Sequence, residues 1–238
     1  MKDKIISWIK RKVKESNSKG IVLGLSGGID SAVAAALCSR ALGREKVLAL
    51  FMPCKSNPED IRDAKLVARQ LKVRTRLIDL TGPYESFLKV LPRAKKLAKN
   101  NLKPRLRMAA LYYFANKLNY LVCGTGNKSE LMAGYFTKYG DGGVDILPIG
   151  DLLKRQVRQL ARELGLPGKI IAKPPTAGLW KGQTDEGEMG ITYDVLDEIL
   201  SGILSGKKRK GGLKETGKVK AMLRLSGHKR NCAPLCRI

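Results

Sequence analysis

Two serines, two glycines and an aspartate follow a short apolar run near the start of the chain. Residues 21–31 read IVLGLSGGIDS. The apolar residues are typical of a buried parallel strand and residues 31–42 favour a helix, so a turn is predicted at residues 26–30. Such a turn presents free backbone N–H groups and the positive end of a helix, while glycines allow close approach. These residues predict a cradle for phosphate groups.

Asp30 is an acid inside this cradle, where a carboxylate alone would repel phosphate. A divalent cation that bridges Asp30 and phosphate oxygens removes the conflict, and hard oxygen ligands suit Mg²⁺. The structural alternative is a tight Gly-Gly turn in which Asp30 and Ser31 cap the helix. The stretch is not a Walker loop, because no Gly-Lys-Ser/Thr follows at the required spacing.

Strand and helix signals alternate over the next hundred residues. Strands are predicted at residues 46–52, 74–80 and 120–124, and helices at residues 58–71, 81–90 and 102–116. This alternation is typical of an α/β fold with a doubly wound, mostly parallel, Rossmann-like sheet and helices on both faces. Ligands bind beyond the carboxyl ends of such strands, so residues 26–30 and 124–130 are expected at one edge.

Long glycine-rich loops separate the later elements. Loops are expected at residues 134–150 and 173–190, and helices at residues 152–164, 193–200 and 215–226. Loops of this length in a compact domain are usually functional. An amphipathic helix is predicted at residues 1–15, and docking on the domain is favoured over membrane-surface binding. The basic run at residues 207–210 is interpreted as a solvated loop.

The chain is strongly basic. It has 238 residues, with 46 Lys and Arg against 21 Asp and Glu, which gives a formal net charge of +25. That excess favours anionic partners such as nucleotides, RNA or acidic lipids, without choosing among them. The length suits one well-buried domain with a subdomain. No apolar run approaches the roughly 18 residues of a membrane span and no signal peptide is evident, so a cytoplasmic protein is expected.

Five cysteines form an odd set without a CxxC pair. Cys38, Cys54 and Cys123 fall in or beside predicted core elements and are expected to be buried free thiols in a reducing compartment. Cys232 and Cys236 could form a bridge or half of a metal site. With one histidine in the chain, that alternative is disfavoured.

Seven separated strings carry a resemblance to a known family. They are GLSGGIDSA (24–32), RLRM (105–108), GTGNKSE (124–130), GYFTKYGDGGVDILPI (134–149), KPPTAGLW (173–180), QTDEGEMGI (183–191) and HKR (228–230). The first resembles the fingerprint of the N-type ATP pyrophosphatases, or PP-loop superfamily, with the adenine nucleotide alpha hydrolase-like fold. Together they resemble the ammonia-dependent NAD synthetases. Many bacterial members have an Asp-His pair after the Gly-Thr. In this chain Gly126, Asn127 and Lys128 occupy that stretch, and this version resembles the archaeal form.

The resemblance implies a reaction, a domain plan and an assembly. Family members join nicotinic acid adenine dinucleotide (deamido-NAD) to AMP from ATP, release pyrophosphate, and displace AMP with ammonia. One synthetase domain over residues 1–238 is expected: an N-terminal helix at 1–16, a nucleotide-binding core at 20–165 and site-completing loops and helices at 166–238. A glutaminase domain would not fit this length, so free ammonia or a partner subunit is implied. The family also implies a homodimer with the dinucleotide near the interface.

The resemblance also assigns roles to individual residues. Asp30 and Glu130 would bind Mg²⁺. The expected ATP contacts are Gly24, Leu25, Ser26, Gly27, Gly28, Ile29, Asp30, Ser31, Thr125, Lys154 and Thr176. The expected deamido-NAD contacts are Arg105, Lys138, Asp145, His228 and Lys229. Asp141, Lys154 and Ser26 would be catalytic, and Asp141 would bind ammonium and accept its proton.

Two other functions compete with this interpretation. A PP-loop enzyme that adenylates a base in transfer RNA would suit the basic charge. The chain lacks an evident RNA-binding domain or cysteine pairs for sulfur transfer, so a nucleic-acid partner is not expected. A nucleotide-binding or sensor module without chemistry is the third alternative, but it has less need of two acids from separate strands.

Overall fold

The computed structural model describes residues 1–180, 182–206 and 212–236; the basic run at residues 207–210 lies outside them. Four parallel strands form one sheet in the order β3-β2-β1-β4. The strands are β1 (Gly20–Gly24), β2 (Val47–Phe51), β3 (Arg74–Leu77) and β4 (Tyr120–Val122). In register, Ile21 of β1 lies beside Val47 of β2 and beside Leu121 of β4. The carboxyl ends of β1 and β4 are therefore neighbours.

Thirteen helices are found in the described part of the chain. They are α1 (Lys2–Glu15), α2 (Ile29–Leu42), α3 (Pro58–Leu71), α4 (Thr81–Val90), α5 (Lys96–Asn100), α6 (Leu102–Leu118), α7 (Lys128–Ala133), α8 (Lys154–Glu163), α9 (Gly168–Ala172), α10 (Asp185–Met189), α11 (Tyr193–Ser205), α12 (Leu213–Leu225) and α13 (Gly227–Arg230). A 3-10 turn at Arg44–Lys46 precedes β2.

Helices cover both faces of the sheet. Ile21 and Leu23 of β1 point into a core that also contains apolar residues of α1, α2, α3 and α8. Val22 points to the opposite face, against residues of α4 and α6. This alternation gives each strand two buried faces, as the continuous apolar runs predict. The doubly wound parallel α/β fold is confirmed, and so is the docking of α1, whose Ile9 and Val13 are buried.

A third apolar cluster lies in the C-terminal part of the chain. It brings Met189 of α10, Tyr193 and Leu196 of α11, and Val219 of α12 together with Leu153, which precedes α8. The cluster attaches α10, α11 and α12 to the end of the sheet that carries α7 and α8. Within the described ranges, no helix is both long and apolar enough to cross a membrane.

Helix boundaries follow local signals where those signals are strong. The predicted bounds of α3 and α4 are confirmed to the residue. Asn57 caps α3 by accepting the Glu59 N–H at 3.0 Å, Pro58 fills the first position, and Lys72 ends the helix with a φ of 52°. These are the capping preferences of an isolated helix, and they need no tertiary contact.

Other predicted boundaries are wrong. Helix α2 starts two residues earlier than predicted, at Ile29, and its N-cap is Gly28 without a side-chain cap, which contradicts the capping alternative for Asp30 and Ser31. Helices α7 and α9 are absent from the prediction, and α10 interrupts the loop expected at residues 173–190. Helix α11 continues past residue 200 to Ser205 and ends at Gly206, whose φ of +66° is a left-handed value. Strands β3 and β4 are shorter than predicted.

The cysteine predictions can be compared directly with the structure. Cys38, Cys54 and Cys123 are buried thiols, as expected. Cys232 and Cys236 are exposed free thiols, so the disfavoured bridge between them is absent from this structure.

Gly27 lets the turn after β1 pack closely on α3. Its φ is +83°, a left-handed value that side chains other than glycine rarely adopt. A Cβ at this position would overlap the Asp60 carbonyl oxygen and lie 2.9 Å from the Asp63 Cβ. The turn therefore needs glycine for both its conformation and its packing.

We expect Gly27→Ala to destabilise the protein much more than Gly43→Ala. Gly43 has the same φ of +83° but nothing within 4 Å of the place that a Cβ would take, so it isolates the conformational cost, about 1 kcal/mol. Gly27→Ala adds the steric overlap, for a total of about 3 kcal/mol or more. Urea unfolding of both variants measures the difference; equal losses would contradict the close contact with α3.

Candidate active site

The ammonium group of Lys154 lies between two carboxylates at the carboxyl edge of the sheet. Its Nζ is 2.6 Å from Asp30 Oδ2 and 3.0 Å from Glu130 Oε1, and the lysine side chain is only 1% exposed. Asp30 stands in the first turn of α2 after β1, Glu130 in α7 after β4, and Lys154 begins α8. The structure thus brings together three residues that the sequence assigned to ATP and metal binding.

The pKa values of Lys154 and Glu130 depend on burial and on the charged groups beside them. Burial lowers the pKa of Lys154, but Asp30 and Glu130 outweigh it and raise that pKa above its ordinary value. Burial raises the pKa of Glu130, while the Lys154 ammonium opposes the rise. An ammonium buried against two acids stays protonated. The triad therefore combines a permanent cation with two oxygen-ligand groups.

Asn127 fixes both acids of the triad. It is fully buried, and its Nδ2 donates to Asp30 Oδ1 at 2.8 Å. Its Oδ1 accepts the Glu130 N–H at 3.0 Å, and its own N–H donates to Glu130 Oε2 at 3.2 Å, which completes a capping box at α7. Asn127 belongs to the GNK stretch that differs from the bacterial Asp-His pair. One amide thus sets the positions of Asp30 and Glu130.

Tyr193 and Asp185 extend the triad. The Tyr193 hydroxyl lies 3.0 Å from Asp185 Oδ2 and 3.3 Å from Glu130 Oε1, and its ring lies 4.7 Å from Lys154 Nζ. Burial raises the pKa of Asp185. The other Asp185 oxygen, Oδ1, is buried without a hydrogen-bond partner among the described residues. Neither residue was predicted as a site member, although Asp185 falls inside the string QTDEGEMGI.

A buried carboxylate holds the start of α8. Asp197 of α11 is fully buried, accepts the Arg155 N–H at 2.9 Å, and accepts the hydroxyl of Ser129. The Ser129 oxygen in turn accepts the Lys154 N–H at 3.0 Å. An acid at a helix N-terminus accepts hydrogen bonds from the free N–H groups there and interacts favourably with the positive end of the helix dipole. Asp197 therefore ties the backbone of Lys154 to the helix that carries Glu130.

The serines of the predicted phosphate cradle bond to one another. Ser31 Oγ donates to the Gly28 carbonyl at 3.0 Å and accepts the Ser26 N–H at 3.2 Å. The hydroxyls of Ser26 and Ser31 are 3.1 Å apart, and the Gly28 N–H donates to Ser26 Oγ at 3.3 Å. The turn is held in shape by its own side chains. Thr125, which follows β4, lies at the same edge of the sheet.

Four of the five residues expected to bind the dinucleotide lie together beside the loop at residues 134–150. Arg105 Nη2 donates to the Lys138 carbonyl at 3.3 Å, and Lys138 Nζ donates to the His228 carbonyl at 2.6 Å. Lys229 Nζ donates to the carbonyls of Gly134 and Phe136, each at 2.8 Å. These cations hold loop backbone, and none of them forms a carboxylate ion pair in the described ranges.

Asp141 lies near this basic group. Its Oδ1 accepts the Thr137 N–H at 2.9 Å. The surrounding protein raises the pKa of Asp141 by desolvation, against the lowering effect of the Thr137 N–H and of the cations Arg107 and Lys229. A carboxylate with a raised pKa is a stronger proton acceptor.

Asp145 and Thr176 are engaged elsewhere. Asp145 accepts the Tyr112 hydroxyl at 2.9 Å and the Val122 N–H at 2.7 Å, beside the edge strand β4. Burial and this carboxylate raise the pKa of Tyr112 to about 12. Thr176 Oγ1 donates to the Gln183 carbonyl at 2.8 Å and accepts the Gly178 N–H at 3.1 Å. Both residues therefore bond to partners outside the Lys154 triad.

The donor set of the triad fits Mg²⁺ bound together with a phosphorylated substrate. Two carboxylates converge on one positive group, and Asp185 adds a buried oxygen without a partner in the described chain. No group of three or more acidic, histidine or cysteine side chains placed to hold a metal by themselves occurs in those residues. Mg²⁺ is commonly bound by one or two carboxylates, with phosphate and water oxygens as the other ligands.

The parallel sheet, with the glycine turn after β1 and the acid–lysine triad at its carboxyl edge, is an α/β fold of the PP-loop type, as in the solved NAD synthetases that it resembles. Comparison with known proteins then identifies the family. Residues 1–233 match the NAD synthase family, so the chain belongs to that family.

Relatives in sequence and structure agree with this assignment. The chain is 52% identical over 238 residues to an NH(3)-dependent NAD(+) synthetase of Archaeoglobus fulgidus, covering 99% of this chain and 96% of the relative. It is 51% identical over 233 residues to that of Carboxydothermus hydrogenoformans, covering 96% and 93%. A Francisella tularensis structure named NMN synthetase superposes with a TM-score of 0.92 at 38% identity, covering 100% and 97%. These names do not favour the transfer-RNA alternative.

Lys154→Met is expected to destabilise the protein by about 3 kcal/mol in metal-free buffer, because it leaves two largely buried acids, 18% and 15% exposed, without their cation. Lys128→Met is the matched control. Lys128 pairs at 2.7 Å with Asp151, whose side chain is 93% exposed, so its loss should cost about 1 kcal/mol or less. Chemical unfolding in EDTA measures both values. Similar losses of unfolding free energy in the two variants would contradict the stabilising role of Lys154 between Asp30 and Glu130.

Proposed function

We propose that this chain amidates nicotinic acid adenine dinucleotide to NAD, with ATP and ammonia as co-substrates and Mg²⁺ as the metal cofactor. The observation that carries the proposal is the triad of Lys154, Asp30 and Glu130 beside the phosphate cradle. Family membership and relatives that are about half identical and named NH(3)-dependent NAD(+) synthetase support it.

The first step in this proposal activates the substrate carboxylate. A nicotinate oxygen attacks the α-phosphorus of ATP, the bond to the β-phosphate bridging oxygen breaks, and pyrophosphate leaves with that electron pair. Backbone N–H groups at residues 26–30 and the ammonium of Lys154 stabilise the negative charge that develops on the phosphates. When bound by Asp30 and Glu130, Mg²⁺ supplies further charge neutralisation. A carboxylate is already a nucleophile, so no serine or cysteine nucleophile is needed.

The second step forms the amide. Ammonia attacks the carbonyl carbon of the adenylated nicotinate, AMP departs, and the nitrogen loses a proton. Asp141 is the residue that we assign to binding ammonium and accepting the proton that ammonium loses to become ammonia, because its carboxylate is near the dinucleotide group of cations and its pKa is raised; the proton lost after attack passes to water. Arg105, Lys138, His228 and Lys229 are the proposed contacts of the anionic dinucleotide, while Asp145 is a proposed contact at the β4 edge.

The substrate could also be smaller than a dinucleotide. The Francisella tularensis neighbour is named NMN synthetase and covers the whole chain. A mononucleotide would use the same carboxylate chemistry and lack the adenylate half. The dinucleotide remains the first choice because the more identical sequence relatives are named NAD(+) synthetases.

The assay that tests the proposal uses purified protein, ATP and Mg²⁺ in parallel reactions. Each contains the dinucleotide or nicotinic acid mononucleotide, together with ammonium or glutamine. We expect NAD, AMP and pyrophosphate in equal amounts with the dinucleotide and ammonium, and little product with glutamine. Preference for the mononucleotide would move the substrate assignment to NMN synthesis. Release of AMP that depends on added transfer RNA would overturn the proposal.

Asp141→Asn is expected to impair the use of ammonium more than adenylation. The amide keeps an acceptor for the Thr137 N–H but has no charge for a cation and no basic oxygen. We expect the KM for ammonium to rise about ten-fold or more, while pyrophosphate release in a single turnover without ammonium stays near wild type. If the Asp141→Asn enzyme uses low ammonium as well as wild type does, Asp141 has no such role.

We also propose a cytoplasmic homodimer. Two subunits that each carry a formal charge of +25 repel one another, so bound anions or salt should assist assembly. Sedimentation at 20 mM and 300 mM salt, with and without ATP, is expected to give a tighter dimer at the higher salt or with ATP. A dimer equally tight under all conditions would refute this dependence, and a monomer throughout would refute the dimer.

A further inference from the structure

Lys103 of α6 is a buried lysine without an acidic partner. It is 4% exposed, and its Nζ donates to the main-chain carbonyl of Leu179 at 2.6 Å. No carboxylate within the described ranges forms an ion pair with it. Its Nζ also lies 5.5 Å from the centre of the Tyr84 ring. This environment is unusual, because a buried ammonium is normally paired with an acid.

The burial of Lys103 carries an electrostatic cost. Desolvation lowers its pKa, and the nearby cations Arg107 and Lys55 act in the same direction. The hydrogen bond to Leu179 is charge-assisted and therefore stronger than one from a neutral donor. A hydrophobic side chain in this place would avoid the cost but would leave the Leu179 carbonyl without a donor. The lysine thus supplies the hydrogen-bond donor that the Leu179 carbonyl needs in its loop.

That loop, of which residues 173–180 and 182–184 are described, is cross-linked by Gln183. Leu179 donates its N–H to Gln183 Oε1 at 2.7 Å, while its carbonyl accepts from Lys103. The Gln183 carbonyl accepts the Thr176 hydroxyl at 2.8 Å. Two hydrogen bonds therefore connect the residue that Lys103 holds to Thr176, which is a proposed contact of ATP.

Helix α6 holds other loops in the same way. Arg107, one turn after Lys103, donates to the Met52 carbonyl at 3.1 Å and to Ser56 Oγ at 3.2 Å, in the segment after β2. Arg105 donates to the Lys138 carbonyl. Three basic residues within five positions thus bind the backbone of three loops that border the site. Of the three, Lys103 is the one that contacts the Thr176 loop.

We propose that Lys103 is a positioning residue for ATP: its ammonium holds the Leu179 segment of this loop against α6 and so keeps Thr176 in place. The kinetic part of this inference rests on the proposed function. The structural part does not, since it concerns the position of the loop alone. Lys103 is assigned no substrate contact, because its ammonium is buried against the Leu179 carbonyl and the Tyr84 ring.

Trp180 provides a direct readout of the loop. It follows Leu179, and the ammonium of Lys96 lies 4.3 Å from the centre of its ring. The chain has two tryptophans, so Trp8→Phe leaves Trp180 as the single tryptophan, whose emission is excited selectively over that of the tyrosines at the red edge of the absorption band. In that background, Lys103→Met keeps the length of the side chain and removes the donor. Lys117→Met, an exposed lysine of the same helix, is the matched control.

Loss of one charge-assisted hydrogen bond shifts a loop equilibrium about ten-fold. Because the apparent affinity falls with the fraction of protein that is competent to bind, the Kd and KM for ATP are expected to rise about two-fold to ten-fold in Lys103→Met, with the smaller factor where the loop is mostly docked in the wild type. The KM for ammonium and the kcat at saturating ATP should stay near wild type. Acrylamide quenching of Trp180 should increase in the same variant, and Lys117→Met should change none of these quantities.

Unchanged Trp180 quenching in a folded Lys103→Met protein would overturn the inference, whatever happens to activity. Unchanged ATP affinity together with increased quenching would overturn the link to Thr176. If the wild-type protein makes no NAD, the proposed function fails. Equilibrium ATP binding and Trp180 quenching still test whether Lys103 holds the loop in place. If Lys103→Met does not fold, Lys103→Arg keeps a cationic donor, and quenching within about twofold of wild type is expected for it. A larger increase of Trp180 quenching in Lys103→Arg would contradict the proposal that a cationic donor at this position holds the loop.

Discussion

The ammonium of Lys154 between Asp30 and Glu130 is the interaction on which the site depends. It requires the starts of α2, α7 and α8 to meet at one place, although these helices are far apart in sequence. The strand order places β1 beside β4, which brings α2 and α7 together. Asn127 then sets both acids, and Asp197 sets the backbone of α8. A buried lysine is stable here only because two acids surround it.

The part of this arrangement that local signals encode could be predicted from the sequence. Apolar runs indicate β1 and β2, Pro58 and its neighbours define α3, and the glycines after β1 indicate a turn. Helix α7 escaped prediction because six residues are too few to show a helical period. The start of α2 was missed because no side chain caps it.

The composition of the site was predicted from the resemblance more than from spacing. Asp30, Glu130 and Lys154 could each be named from the sequence, but their direct contact needed the structure. Tyr193 and Asp185 were missed as triad neighbours because they reach it through tertiary packing of α10 and α11. Some of the basic side chains also have a structural role. Lys103, Arg105, Lys138 and Lys229 donate to backbone carbonyls of the loops around the site. Arg105, Lys138 and Lys229 make these contacts without an acidic partner among the described residues, so their charges remain available to an anionic substrate, whereas Lys103 is buried.

The central proposal is that the substrate carboxylate attacks the α-phosphate of ATP at this site, where the triad stabilises the negative charge that develops. The most direct measurement uses a dinucleotide labelled with ¹⁸O in both oxygens of its nicotinate carboxylate, followed by mass spectrometry of the products. Attack at the α-phosphate, followed by displacement of AMP by ammonia, transfers one labelled oxygen to AMP and leaves pyrophosphate unlabelled. Label in inorganic phosphate with release of ADP, or unlabelled AMP alongside NAD, would contradict the account.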